Sequence, residues 1–126
     1  MKVVIGRNRF GLWVKPPIGL HRNRIFVEIN DYSSYANRIL KTTLQQFYNL
    51  DQIDRGRRKA VEVPDDVFKT ALELSTTITK YELSALPKFR EEFNRIESSA
   101  KAVDEYLNKM KELVSRYVTV RVLRSL

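Results

Sequence analysis

Hydrophobic residues recur at helical spacing through most of the chain after residue 34. One apolar stripe predicts a first helix from about Ser34 to Asn49. A second stripe predicts a helix opened by Pro64, with Asp65 as its N-cap and with Asp65 and Asp66 both suited to the positive end of the helix dipole. Pro87 predicts a break after this second helix. The pattern therefore predicts several amphipathic helices that pack together.

The C-terminal third has the most regular pattern, in which apolar residues alternate steps of four and three. Such a seam is typical of a long amphipathic helix that buries one face. It predicts one helix from Lys88 to about Leu123, roughly 50 Å long at ~1.5 Å per residue. A division into two helices at Ser98-Ser99 is an alternative, and the β-branched run Val118–Val122 is compatible with a strand. The seam consists of Phe89, Phe93, Ile96, Ala100, Val103, Leu107, Met110, Val114 and Tyr117.

Residues 1–29 have the alternation and β-branched content of short strands. Lys2–Ile5 and Phe10–Val14 predict a hairpin that turns at Gly6–Arg9, because Gly and Asn tolerate turn conformations. Arg24–Ile29 predicts a third strand with one buried face, and Ala60–Val63 a brief extended piece. A sheet this small needs a helix to cover it. The predicted fold class is mainly α within α+β: a helical bundle with a long C-terminal amphipathic helix and a small N-terminal antiparallel β-sheet.

The length of 126 residues suits one helical domain with a small appendage. We predict a β appendage at residues 1–30 and a helical domain at residues 31–126. The absence of cysteine excludes a disulfide scaffold and thiolate catalysis. No stretch approaches the ~18 apolar residues that a membrane span needs, and the first residues are charged too soon for a signal peptide. We therefore expect a cytoplasmic protein with no membrane partner.

No group of residues predicts catalysis, a metal site or a cofactor. Helix capping explains the pair Asp65-Asp66. Glu91 and Glu92 are adjacent on a predicted helix, so their side chains diverge by about 100° and cannot share a proton. The single histidine, His21, stands in a loop context. No glycine motif for phosphate binding occurs. We predict that the protein is not an enzyme.

The formal net charge of +8 lies entirely in the N-terminal half. Residues 1–59 contain 12 Lys and Arg and 4 Asp and Glu, whereas residues 60–126 contain 11 of each. Such asymmetry suits a face that meets nucleic acid or an acidic protein, and it equally suits a solvated surface that keeps the protein soluble. Two basic clusters are the candidate nucleic-acid contacts. They are Arg7, Arg9, Lys15, Arg22 and Arg24 in the strand region, and Arg55, Arg57, Arg58 and Lys59 in a loop.

Two aromatic residues, Phe10 and Trp13, are interleaved with the first cluster. Cations and aromatic rings on a small sheet can hold a nucleic-acid backbone and stack bases. For Trp13 we expect packing of the sheet onto the helices instead, because large aromatic side chains usually anchor cores.

The long seam is a second candidate for function. If the upstream helices do not cover all of it, the remainder is a subunit interface. Arg121 occupies the next seam position after Tyr117, where a cation marks the end of the core or pairs with a partner's acids. The predicted interface residues are Val103, Leu107, Met110, Val114, Tyr117 and Arg121.

Two short segments resemble the helical domain of the GINS family of DNA-replication proteins. In that family a proline–acid–acid–aromatic stretch opens a helix. A late helix ends with a tyrosine or isoleucine, an arginine four residues later, an apolar residue directly after the arginine, and a lysine or arginine two residues further on. The matching positions are Pro64, Asp65, Asp66, Phe68, Tyr117, Arg121, Val122 and Arg124. The resemblance covers about residues 34–126. It implies a non-enzymatic subunit that assembles into tetramers through long helices and bridges the minichromosome maintenance helicase to a DHH-type partner.

The leading prediction is a non-enzymatic assembly subunit of a nucleic-acid machine, with a GINS-like replication factor as its most specific form. It would act with other protein subunits in a homo- or hetero-oligomer, and would be nucleoid-associated if it serves replication. The alternative is a direct nucleic-acid-binding protein, such as a small subunit of an RNA-guided complex or a viral or chromatin DNA binder, which the N-terminal charge favours. A third possibility, a helical structural protein of a virus or filament, depends on the seam alone.

Overall fold

The computed structural model describes residues 1–15, 25–27 and 34–125, with residues 25–27 described by their backbone alone. The strands in these ranges are β1 (Lys2–Asn8), β2 (Gly11–Lys15), β3 (Ile25–Val27) and β4 (Arg58–Glu62). The helices are α1 (Tyr35–Gln45), α2 (Asp65–Lys80), α3 (Pro87–Ser99) and α4 (Val103–Ser125). Short 3₁₀ turns follow α1 and α2. The predicted fold class, mainly helical with a small antiparallel sheet and a long C-terminal helix, is confirmed.

The sheet has the strand order β3-β2-β1-β4 and is antiparallel throughout. Its fourth strand comes from the middle of the chain and pairs with β1, from Lys2 opposite Glu62 to Gly6 opposite Arg58. The sequence predicted only a brief extended piece there. Of the predicted strand at residues 24–29, residues 25–27 form β3 and the others lie outside the described residues. The predicted domain boundary near residue 30 also lies outside them, and the domain division stays a prediction.

The first hairpin turns later than the sequence predicted. β1 continues through Gly6 to Asn8, and Arg9 and Phe10 form the two-residue turn. The side-chain oxygen Oδ1 of Asn8 accepts a hydrogen bond from the backbone N–H of Phe10 at 2.8 Å, which closes this turn. Gly6 stays in the strand because the indole of Trp13 lies across it, where any Cβ would collide with the ring. This glycine marks a close approach between two strands rather than a turn.

Trp13 is buried, as we expected, but on the other face of the sheet from the main core. Ile5 lies opposite Val14, and Gly6 lies opposite Trp13. Successive residues of a strand point to opposite faces, so Trp13 and Val14 face different sides. Val14 and Ile5 belong to the core that the sheet shares with the helices. The expectation that Trp13 packs the sheet onto the helices is therefore wrong.

The apolar stripe of α1 is buried as predicted, although the helix ends at Gln45, earlier than the predicted end at Asn49. Polar side chains stop the helix there. The side-chain oxygen Oε1 of Gln45 accepts a hydrogen bond from the N–H of Leu50 at 3.1 Å, and Oδ1 of Asn49 accepts one from Asp51 at 3.1 Å. These bonds satisfy backbone donors of the 3₁₀ turn that follows, so the chain leaves the α-helical path.

The C-terminal seam forms a helical hairpin, so the prediction of one continuous helix is wrong and the division near Ser98-Ser99 is the observed one. Ala100 is extended, with φ −72° and ψ 132°, and α4 begins at Val103. The strand alternative for residues 118–122 is also wrong, because they lie within α4. The rings of Phe89 and Tyr117 meet edge to face at 5.7 Å. Folding back lets the two halves of the seam bury each other within one chain.

Candidate nucleic-acid interface

The turn of the first hairpin and the loop before β4 lie side by side at one end of the sheet. The N–H of Gly56 donates to the carbonyl of Arg7 at 2.8 Å, and the N–H of Arg7 donates to the carbonyl of Arg57 at 3.2 Å. Because β4 runs antiparallel to β1, its first residues lie beside the last residues of β1. The fold thus joins parts of both predicted basic clusters. We call this region the basic sheet end; it consists of Arg9, Phe10, Arg55, Arg57, Arg58 and Lys59.

The loop of the basic sheet end reverses the chain through a tight turn. The carbonyl of Asp54 accepts a hydrogen bond from the N–H of Arg57 at 3.0 Å. Gly56 has φ 80°, a conformation that other residues rarely adopt. The reversal leaves Arg55 and Arg57 on the surface, and both are exposed.

The aromatic ring of Phe10 stands in solvent at the tip of the neighbouring turn. The residue is 62% exposed. The guanidinium carbon of Arg9 lies 4.7 Å from the centre of its ring. A cation at this distance is attracted to the ring face, so Arg9 and Phe10 form a small cation–aromatic unit on the surface.

The cations of the basic sheet end have no acidic partners among the described residues. None of the five, Arg9, Arg55, Arg57, Arg58 and Lys59, takes part in an ion pair within the ranges that the structure covers. All five residues are exposed. The ammonium of Lys59 has only a distant aromatic contact, 5.9 Å from the ring centre of Tyr48. Their positive charge is therefore free to act on a ligand in solution.

Arg7, which the sequence also predicted as a nucleic-acid contact, has a structural role. Its Nε donates to the carbonyl of Ile53 at 2.5 Å, and its Nη2 donates to the carbonyl of Leu50 at 2.9 Å. These bonds attach the segment before the basic loop to β1. Arg7 thus positions the loop that carries Arg55 and Arg57, and we leave it out of the interface.

The other predicted contacts do not join the basic sheet end. Lys15 is exposed at the far end of β2, opposite Val4. It lies four positions after Gly11, which corresponds to about 13 Å along a strand. Arg22 and Arg24 lie outside the described residues. Sequence spacing grouped these cations with Arg9, but the strand pairing separates Lys15 from it.

The predicted interface residues of the seam mostly face the chain's own helices. Leu107, Met110 and Val114 are at most 4% exposed and belong to the core. Val103 and Tyr117 are half-buried against the same core. Because α3 folds back along α4, these side chains are covered within the chain. The seam therefore offers little open surface to a partner.

The part of α4 that remains open lies beyond the seam. Val122 is 44% exposed and Leu123 is 64% exposed. Val122 lines a groove of about 480 Å³. Arg121 lines this groove, and its Nη2 donates to the carbonyl of Glu82 at 3.0 Å. Sequence reasoning missed Val122 and Leu123 as surface residues, although their position after the end of the seam is a usable signal.

The residues that carry the GINS resemblance have local structural roles. Pro64 occupies the capping position of α2, one residue before the predicted cap, and Asp65 and Asp66 lie in its first turn. Phe68 is fully buried. The hydroxyl of Tyr117 donates to Glu92. Helix initiation and packing thus account for Pro64, Asp65, Asp66, Phe68 and Tyr117, and the resemblance stays a prediction.

The hydrogen bond between Tyr117 and Glu92 in the α3–α4 hairpin shifts the pKa values of both side chains. The hydroxyl of Tyr117 stabilises the ionised carboxylate and lowers the pKa of Glu92, with a further contribution from Arg116, whose Nη1 lies 3.2 Å from Oε1 of Glu92. The same bond raises the pKa of Tyr117. This pair links α4 to α3.

Other chemistry finds little support in the described ranges. Residues 1–15, 25–27 and 34–125 contain no group of three or more His, Cys, Asp or Glu residues that could hold a metal ion. No helix in the same ranges is both long enough and apolar enough to cross a membrane. No protein-family model matches the chain, and no curated protein or solved structure matches it either.

Proposed function

We propose that this protein binds nucleic acid through the basic sheet end, as a non-enzymatic component of a nucleic-acid machine. The observation that carries the proposal is that two separate segments bring five exposed cations to one end of the sheet, where none of them is ion-paired within the described residues. A single exposed cation contributes little to binding. A converging set neutralises several phosphates at once and releases their counterions, which gives substantial affinity.

The residue types favour phosphate over other anions. Four of the five cations are arginines, whose planar guanidinium donates paired hydrogen bonds to phosphate oxygens. The exposed ring of Phe10 adds a flat surface beside them. An acidic protein surface would use the arginines but has no general need for an exposed aromatic ring at the same end of the sheet.

The test compares two variants with the same loss of charge. One replaces Arg55, Arg57 and Arg58 with glutamine; the control replaces Lys69, Lys88 and Lys111, which are exposed on three helices. Binding to a single-stranded oligonucleotide and to its duplex is measured by fluorescence anisotropy over a salt titration. We expect the arginine variant to lose about tenfold or more in affinity and its salt slope to fall by about 2 to 3. The lysine variant should retain nearly full affinity.

Two results would count against this proposal. Equal losses in the two variants would show that net charge alone attracts the nucleic acid. Failure of the unmodified protein to bind any oligonucleotide at low salt would remove the proposal altogether. Circular dichroism of each variant establishes that the fold is unchanged.

A second candidate function is the GINS-like assembly subunit, and the exposed apolar end of α4 favours it. Val122 and Leu123 are open, and Arg124 beside them is exposed and has no ion pair among the described residues. This surface suits an acidic, apolar face on another protein subunit. Light scattering after size-exclusion chromatography tests the homo-oligomeric form, in which Leu123→Asp should convert an oligomer into a monomer. A monomeric unmodified protein at all concentrations would exclude that form.

A further inference from the structure

Exposed large apolar side chains are rare in the described residues and differ in their surroundings. They are Phe10, Val122 and Leu123, at 62%, 44% and 64% exposure. Phe10 is the aromatic one among them, and it lies at the basic sheet end. A phenylalanine left in water loses the stabilising free energy that its burial would give. We therefore look for a function that uses the exposed ring of Phe10.

The backbone that carries Phe10 is held within a closed hairpin turn. The backbone N–H of Phe10 is fixed by Oδ1 of Asn8 at 2.8 Å, and Asn8 pairs with Gly11 across the hairpin. Arg9 covers one face of the ring at 4.7 Å. The residue is 62% exposed, so most of its surface remains open to solvent.

We infer that Phe10 stacks on an unpaired base, so that the basic sheet end binds single-stranded nucleic acid. This inference rests on the proposed function. Every base has a flat π face, so stacking on an aromatic ring needs no particular sequence. Arg55 and Arg57, on the adjoining loop, contact the phosphates beside the stacked base. Bases inside a duplex are already stacked on their neighbours, so a duplex offers Phe10 no equivalent partner.

An anionic membrane is the competing ligand for a ring beside cations. Membrane-binding segments bury a wide apolar face. At the basic sheet end, Phe10 is the exposed large apolar side chain of the described residues, and its neighbours in the chain are Arg9 and Gly11. One phenylalanine inserted into a membrane gives only weak attachment. By contrast, a single base is large enough to stack on the whole ring. The observations therefore favour a base.

The experiment measures the affinity of Phe10→Ala, Phe10→Leu and Phe10→Trp for a single-stranded oligonucleotide, for its duplex and for anionic phosphatidylserine vesicles. We expect Phe10→Ala to weaken single-strand binding about tenfold and to leave duplex binding unchanged. Phe10→Trp should retain single-strand affinity, and Phe10→Leu should lose most of it, because leucine is apolar but has no ring. An oligonucleotide with abasic sites should bind the unmodified protein and Phe10→Ala equally.

The outcomes separate this inference from the proposed function. If Phe10→Ala binds single strands normally while the arginine variant still loses affinity, stacking is wrong and nucleic-acid binding stands. Full affinity in Phe10→Leu would replace stacking by an apolar contact and overturn the inference. Loss of vesicle binding in Phe10→Ala, with oligonucleotide binding unchanged, would identify a membrane contact instead. If no oligonucleotide binds, both proposals fail.

Discussion

The basic sheet end differs from the helices in that several of the helical cations are paired with acids. In the helices, Arg38 meets Glu97 at 2.6 Å, Lys109 meets Glu105 at 2.9 Å and Arg116 meets Glu92 at 3.2 Å. At the basic sheet end, the cations have no acidic partner among the described residues. Arg38, Lys109 and Arg116 thus link parts of the fold, whereas the cations of the basic sheet end are available to a ligand.

Aromatic residues also differ between the two regions: they are packed in the core of the helices and exposed at the basic sheet end. In the helices, Tyr35 packs edge to face on Phe93 at 4.8 Å, and Arg38 lies over both rings. There the cation and the rings are half-buried or buried together and form part of the packing. Arg9 and Phe10 have a similar contact but stand in solvent. A cation–aromatic pair in the core stabilises the protein, whereas the same pair on a surface turn presents a flat, charged surface to a ligand.

The largest expected effect is on stability, and it appears when one arginine substitution in the helices is compared with one at the basic sheet end. Arg38→Gln removes two hydrogen bonds to Oε1 of Glu97, at 2.6 and 3.2 Å, and leaves that half-buried carboxylate without its partner. We expect a loss of about 2 kcal/mol in the free energy of unfolding. Arg57→Gln should change stability by less than about 0.5 kcal/mol and should instead lower the affinity for nucleic acid. Urea denaturation and fluorescence anisotropy measure the two effects.

The comparison between regions fails if these two substitutions behave alike. A clear loss of stability in Arg57→Gln would mean that the basic sheet end also depends on its cations for folding. A loss of affinity in Arg38→Gln, measured where the variant is fully folded, would place the ligand against the helices.

Hydrophobic periodicity predicted which residues of the helices are buried but not the path of the chain between them. The seam from Phe89 to Tyr117 has the same period in one long helix and in two helices that fold back on each other. The choice depends on residues 98–102, where the helix stops, and on the gain from burying both halves within one chain. That gain is a property of the tertiary structure, and local spacing does not contain it.

Glycine and arginine were the residue types whose roles the sequence could not decide. Gly6 looked like a turn residue, yet it makes room for the indole of Trp13. Arg7 and Arg57 looked alike, yet Arg7 donates to two carbonyls and Arg57 is exposed. In each case the deciding partner is far away in the sequence. The sequence was enough to predict that the site is basic. Which residues belong to the site depended on the pairing of β4 with β1.

The smallest expected effect concerns the bond that fastens α4 to α3. Tyr117→Phe removes the hydroxyl that donates to Glu92, and we expect a loss of about 1 kcal/mol near neutral pH. The matched control is Tyr81→Phe, because the hydroxyl of Tyr81 has no hydrogen bond among the described residues. Urea denaturation should show a clear loss for Tyr117→Phe and almost none for the control.

The pH dependence of this loss follows from the two shifted titrations. The pKa of Glu92 is below its ordinary 4.5 in the folded state, so the bond stabilises the protein above that value and its contribution disappears as pH falls through the lowered pKa. The pKa of Tyr117 is above its ordinary 10.0, so the contribution is present below that value and disappears as pH rises through the raised pKa. The stability difference between the unmodified protein and Tyr117→Phe should therefore be largest between these limits and shrink in acid. A difference that stays constant from neutral pH into acid would show that the tyrosine contributes through packing alone.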